Sequence, residues 1–110
     1  MITVKKFGGT SVGSAEAIKR SAGIIMAGEG STVVVVSAMS GITNFLVGSL
    51  EDKRSNDEDV FEQFEARHME VAKALFDDER LGLFKKDFDD VIEFYWDTIT
   101  LYRKGYQRIY

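Results

Sequence analysis

An unbroken β-branched run, Thr32-Val33-Val34-Val35-Val36 leading into Ser37-Ala38, limits what this chain can fold into more than any other stretch. A strand wetted on one side alternates apolar and polar residues, whereas this one is apolar throughout, the habit of parallel strands covered by helices on both faces. The residues before it fit such a sheet. Met1 to Phe7 alternates apolar and polar, and Ser14 or the residue beside it is placed to cap a helix. In that helix Ala17, Ile18, Ala22, Ile25 and Met26 recur at three-to-four spacing, and Gly28 and Gly30 around Glu29 stop it. The first forty residues therefore predict a β-α-β unit with parallel strands and a right-handed crossover.

Both strands run into glycine-bearing turns. The first is Lys5-Lys6-Phe7-Gly8-Gly9-Thr10-Ser11-Val12-Gly13. Adjacent glycines after a strand let bare backbone approach an anion, and the helix that follows presents its positive dipole end, so the turn reads as a phosphate cradle. Lys6, Gly8 and Gly9 are the first candidates for chemistry, against the competing reading of a plain tight turn. Neither Gly-x-x-x-x-Gly-Lys nor Gly-x-Gly-x-x-Gly occurs, which excludes the P-loop and dinucleotide architectures. Lys5 and Lys6 point to opposite sides of the strand, and Lys6, nearer the glycines, is the one expected in a cleft.

The second turn is Ser37-Ala38-Met39-Ser40-Gly41-Ile42-Thr43-Asn44. Ligands of open α/β sheets sit outside the carboxyl ends of the strands, so the two turns should face one cleft. Thr43 or Asn44 also has a plainer role, capping a helix that runs through Phe45, Leu46, Val47 and Leu50 to about Arg54.

Beyond the polar stretch from Ser55 to Asp59, a helix is expected with Asp57 near its cap. Val60, Phe61, Phe64, His68, Val71, Ala72, Leu75 and Phe76 lie along its apolar stripe. Asp77-Asp78-Glu79-Arg80 reads as an interruption and Gly82 as a break. A last helix is expected from about Leu83, with Phe84, Phe88, Val91, Ile92, Tyr95, Trp96, Ile99 and Tyr102 buried, completing a helical hairpin. His68 has no second histidine or cysteine beside it and reads as a core residue, so no metal site is expected. Asp87, Asp89, Asp90 and Glu93, mixed with Lys85 and Lys86, read as a solvated face.

Charge narrows the partners. The first fifty residues carry Lys5, Lys6, Lys19 and Arg20 against Glu16 and Glu29, whereas the chain as a whole has net charge −4. A cationic turn on an acidic body suits a small anionic ligand and, without a basic stripe, not a nucleic acid. With no long apolar run, no leader pattern and no cysteine, neither membrane nor export is expected, and the cytoplasm is the expected location. Two strands cannot cover four helices' worth of apolar surface, which points to the front part of a larger α/β domain.

The pairing of Lys6-Phe7-Gly8-Gly9-Thr10-Ser11-Val12 with Ser37-Ala38-Met39-Ser40-Gly41-Ile42-Thr43-Asn44 resembles the aspartate kinases of the amino-acid kinase superfamily. The resemblance implies a carbamate kinase-like, three-layer α/β/α fold and transfer of the ATP γ-phosphoryl group to the side-chain carboxylate of L-aspartate, the entry step to lysine, threonine and methionine synthesis. It further implies that Lys6 is catalytic, that Lys6, Gly8, Gly9, Thr10 and Ser11 bind the ATP phosphates, and that Ser37 and Thr43 bind aspartate. Mg2+ would be held by the nucleotide and by parts outside these residues. The family's Ser-x-Gly-Glu element, its Gly-Arg-Gly-Gly-Ser-Asp loop, the adenine-binding half and the regulatory ACT domains do not occur in the sequence. Residues 1–110 are thus expected to form the N-terminal portion of such a catalytic domain, inactive alone, with apolar surface that favours self-association. The sequence also allows two other readings: a family member with a different acceptor, and a non-catalytic interaction module using Phe61, Phe64, Tyr95 and Trp96.

Overall fold

The computed structural model describes residues 1–52 and 56–103. The elements are β1 (Ile2–Phe7), α1 (Ala15–Ala27), β2 (Ser31–Val36), α2 (Ile42–Glu51), α3 (Asp57–Leu75) and α4 (Asp78–Arg103). The chain divides into two compact units, one ending at Leu75 and the other beginning at Phe76. α3 and α4, read from the sequence as a hairpin, fall in different units, and each is described by itself.

In the first unit β1 and β2 pair in parallel, in register from Ile2 against Ser31 to Phe7 against Val36, with α1 as the crossover. This is the β-α-β unit that the valine run predicts. Ser14 caps α1, its Oγ accepting from the Ala17 amide at 3.1 Å. The buried side of α1 carries Ala15, Ala17 and Ser21, while Met26, expected inside, is 83% exposed. Small residues let helices approach closely, and α3, with Ala72 only 2% exposed, packs against both α1 and α2. Phe7, Ile42, Val60, Phe61, Phe64 and Val71 complete this core. The burial of Phe61 and Phe64 removes them from any partner-facing surface.

One expectation about burial fails. Val33, Val34, Val35 and Val36 are 39 to 60% exposed rather than covered on both faces. Among the described residues the sheet has two strands, and the helices pack chiefly on one another rather than over β2.

Two helix starts bear on the sequence reading. α3 begins at Asp57, which lies next to the cap as expected; the cap itself is Asn56, its Oδ1 accepting from the amides of Glu58 and Asp59. α2 ends at Glu51, and Arg54 and Ser55 lie outside the described residues. In the second unit Asp77 caps α4: its Oδ1 accepts from the Arg80 amide at 2.8 Å, and Arg80 pairs with its carboxylate at 3.6 Å. The acidic stretch read as an interruption is therefore a helix start, since acidic first turns favour the dipole. Gly82 lies inside the helix, where one glycine costs only about 1 kcal/mol. Phe88 and Ile99 are buried, Val91 and Tyr102 are exposed, and the Phe84 ring meets those of Phe76 and Phe88 at 5.8 and 5.6 Å. Asp87, Asp89, Asp90 and Glu93 are exposed, the solvated face read from the sequence. Among the described residues no helix is long and apolar enough to cross a membrane.

Replacing Ser14 with alanine removes the α1 cap. Urea unfolding should show a loss of about 1 kcal/mol, and Ser14→Asp should recover most of it.

Candidate functional site

Parallel pairing in register puts both glycine-bearing turns at the same end of the sheet. The ladder continues past the strands: the Ser37 amide donates to the Phe7 carbonyl at 3.1 Å, and the Ser40 amide to the Gly9 carbonyl at 3.1 Å. The turns therefore touch. A Cβ on Gly9 would stand 3.2 Å from the Ala38 carbonyl oxygen and from Ser40 Cα, and one on Gly13 only 2.8 Å from the Gly9 carbonyl oxygen. A side chain at Gly13 would run into the first turn's own backbone, and one at Gly9 would crowd the second turn, so both positions favour glycine. Gly8, in contrast, faces open space.

Inside the first turn the amides of Ser11 and Gly13 donate to the carbonyls of Gly8 and Thr10. Those of Gly8, Gly9 and Thr10 donate to no backbone carbonyl among the described residues. The Ser11 carbonyl accepts from Ser21 Oγ at 2.8 Å, which fastens the turn to α1. Lys5 lies on the α1 side, its Nζ donating to the Ile24 carbonyl at 3.3 Å near the end of that helix, where unpaired carbonyls attract a cation. Lys6 follows it on the opposite side of the strand and is exposed.

In the second turn Ser37 is exposed, its Oγ donating to the Ala38 carbonyl at 2.8 Å. Gly41 is the N-cap of α2 at φ +85°, with no side-chain cap bond. The capping role considered for Thr43 and Asn44 is thus excluded, because both already lie in the first turn of α2. Thr43 is exposed. The N-termini of α1 and α2 both follow the strand tips, so two positive dipole ends and Lys6 belong to one end of the sheet.

Two clefts flank the turns. One, about 270 Å³, is lined by Ser40, Gly41, Ile42, Phe45, Gln63 and Arg67. The other, about 350 Å³, includes Gly13, Ser14, Glu16, Arg67 and Glu70 in its wall. Neither takes Lys6, Gly8, Gly9, Thr10, Ser11, Ser37 or Thr43 into its wall. Arg67, which lines both, was not among the sequence candidates. It lies on the α3 stripe between Phe64 and Val71, and a charged residue at a core position was the available signal. His68, the other polar residue of that stripe, has Nδ1 2.7 Å from the Phe64 carbonyl oxygen and its ring 4.3 Å from that of Phe64. Among the described residues no group of three or more His, Cys, Asp or Glu could hold a metal ion.

No protein-family model matches the chain. It is similar to an aspartokinase of Chlamydia trachomatis serovar D, 34% identical over 106 residues, which are 96% of this chain and 23% of that protein. It is also similar to the lysine-sensitive aspartokinase 3 of Escherichia coli K12, 50% identical over 50 residues, which are 46% of this chain and 11% of that one. Among solved structures it is similar to E. coli aspartokinase III in complex with aspartate and ADP (R-state), with a TM-score of 0.76 and 27% identity over 91% of this chain and 22% of the other. The chain thus spans about a quarter or less of the length of these relatives.

The two glycines of α2 separate turn geometry from helix propensity. Gly41→Ala must hold a Cβ at positive φ and should lose about 1 to 2 kcal/mol in chemical unfolding. Gly48→Ala, inside the helix with no atom in the way, should gain up to about 1 kcal/mol in the same assay.

Proposed function

We propose, for a chain whose sequence and fold place it in the aspartokinase family, a part in phosphoryl transfer from ATP to the side-chain carboxylate of L-aspartate, giving ADP and 4-phospho-L-aspartate. One observation supports this reading above the others: two glycine-bearing turns on adjacent strand tips, hydrogen-bonded to each other, in a fold similar to that of an enzyme solved with aspartate and ADP.

The chemistry sets what such a site must do. The nucleophilic carboxylate of aspartate is already ionised at neutral pH, so little acid or base help is needed. The difficulty is bringing an anion in line with a polyanion, which calls for positioning and neutralisation. In this proposal Lys6 sets a positive charge against the transferring phosphoryl oxygens. The amides of Gly8 and Gly9, with Thr10 and Ser11 beside them, hold phosphate oxygens through backbone donors. Ser37 and Thr43, exposed at the second turn, contact the aspartate. By analogy with loss of one preorganised donor, the Lys6 amine contributes on the order of 3 kcal/mol in the transition state. Mg2+ would travel with ATP and shield its phosphate charge. In this proposal the phosphates of the nucleotide are its principal ligands.

A binding titration tests the assignment. Adding ADP with Mg2+ to the isotopically labelled chain should shift the amide resonances of Lys6 to Ser11 and Ser37 to Thr43 with weak affinity, and inorganic tripolyphosphate should compete nearly as well as ADP. Lys6→Ala should weaken both ligands about tenfold, the worth of one charge-assisted hydrogen bond. Tight, adenine-selective binding, or shifts confined to other elements, would contradict the assignment.

Turnover is a separate matter. The 110 residues contain no Ser-x-Gly-Glu element, so trapping acyl phosphate with hydroxylamine should reveal no product above background from this chain alone. Measurable aspartyl hydroxamate formation would show that the chain is itself a complete enzyme.

A further inference from the structure

Arg67 stands where three segments meet. From the middle of α3 its Nη2 donates to the Gly13 carbonyl at 2.7 Å, and its Nη1 lies 3.7 Å from the Met39 sulfur. Gly13 closes the first turn just before the Ser14 cap, and Met39 lies in the second turn between the end of β2 and the Gly41 cap. One guanidinium thus touches both turns, 54 and 28 residues away in sequence. It is half-buried, so its short bond to Gly13 is screened less than a surface contact would be.

The same side chain is the partition between the two clefts, since both take it as a wall. Arginine suits that place. Its planar fork directs separate N–H groups at two acceptors, which a lysine ammonium on a flexible stem does not do in fixed geometry. The bond to Gly13 is charge-assisted and the contact to sulfur is weak, so the first anchors the guanidinium and the second orients it.

We propose that Arg67 is a positioning residue, which holds the second turn at a set distance from the first by tying the Gly13 carbonyl and Met39 to α3. It touches neither phosphate nor aspartate in the proposed site. Its effect passes through the backbone at Gly13 and through Met39 to its neighbour Ser40, whose amide reaches the Gly9 carbonyl. The proposal concerns the turns' arrangement in the ligand-free chain, and so it can fail or hold independently of what the turns bind.

The test uses the full 110-residue chain, with Met methyl and backbone amide labels, in wild type, Arg67→Met and Arg67→Lys. In Arg67→Met the Met39 methyl resonance should move, and exchange of the hydrogen-bonded amides of Gly13 and Ser40 should speed up about tenfold, the equivalent of one charge-assisted hydrogen bond. Exchange within β1, β2 and the ends of α3 should stay unchanged. Arg67→Lys should restore slow exchange near Gly13 but leave the Met39 methyl displaced, because one ammonium cannot serve both contacts. The proposal is overturned by an unmoved Met39 methyl and unchanged turn exchange in Arg67→Met, by uniform acceleration across the first unit, or by full rescue in Arg67→Lys. If Arg67→Met does not fold, Arg67→Lys alone decides, through the same split between Gly13 and Met39.

Discussion

The parallel register of β1 against β2 is the constraint on which the rest depends. Once Phe7 pairs with Val36, the chain leaves both strands at one end of the sheet, and the next two backbone hydrogen bonds, Ser37 to Phe7 and Ser40 to Gly9, follow from the ladder. A slip of one residue would turn every strand side chain to the other face. It would exchange Lys5, which lies over the end of α1, with Lys6, which does not. The choice of which lysine is available at the turns is therefore made by strand register before any ligand is considered.

Close approach of the turns follows from that register and determines their composition. Gly9 and Gly13 are glycines because Ala38 and Ser40, or the turn's own backbone, fill the place of a side chain. Gly8 has room for one, so its being glycine has no packing reason in this chain. A position without a steric demand is where bare backbone is most readily explained by what must come near it. Gly41 differs again, since its positive φ turns the chain from the second turn into α2. Four glycines near one sheet end thus differ in what the fold demands of them: close approach at Gly9 and Gly13, positive φ at Gly41, and neither at Gly8.

Much of this was legible in the sequence, for reasons of range. The strands, the α1 cap at Ser14 and the stripe of α3 are written in periodicities and dipeptides only a few residues long, and these survive in the structure. The start of α4 was misread because Asp77-Asp78-Glu79-Arg80 is equally a polar break and a capped first turn, and local composition does not distinguish them. The cap of α2 was misread because Thr43 and Asn44 are good capping residues two and three places past the true cap, where Gly41 makes the turn by backbone conformation alone. Arg67 was missed for a different reason. Its partners lie 54 and 28 residues away, and no short-range pattern encodes which carbonyl a core arginine will find.

The exposure of β2 bears on where the rigidity of the turns comes from. Ile2, Val4, Val33 and Val35 share one side of the sheet and are 44 to 70% exposed, and Val34 and Val36 on the other side are 39 and 60% exposed. Burying the accessible part of these six side chains would contribute on the order of 5 kcal/mol, comparable with the whole stability of a small domain. That driving force is unused within these residues, so the sheet alone is a weak platform, as two-stranded sheets are. Firmness at the strand tips must come instead from the helical layer, where Ala17 and Ala72 allow α1, α2 and α3 to close on one another, and from the polar ties that reach the turns from it. Ser21 fastens the first turn to α1, and Arg67 fastens both turns to α3. In this chain the strands set where the turns lie, and the helices behind them set how well they stay there.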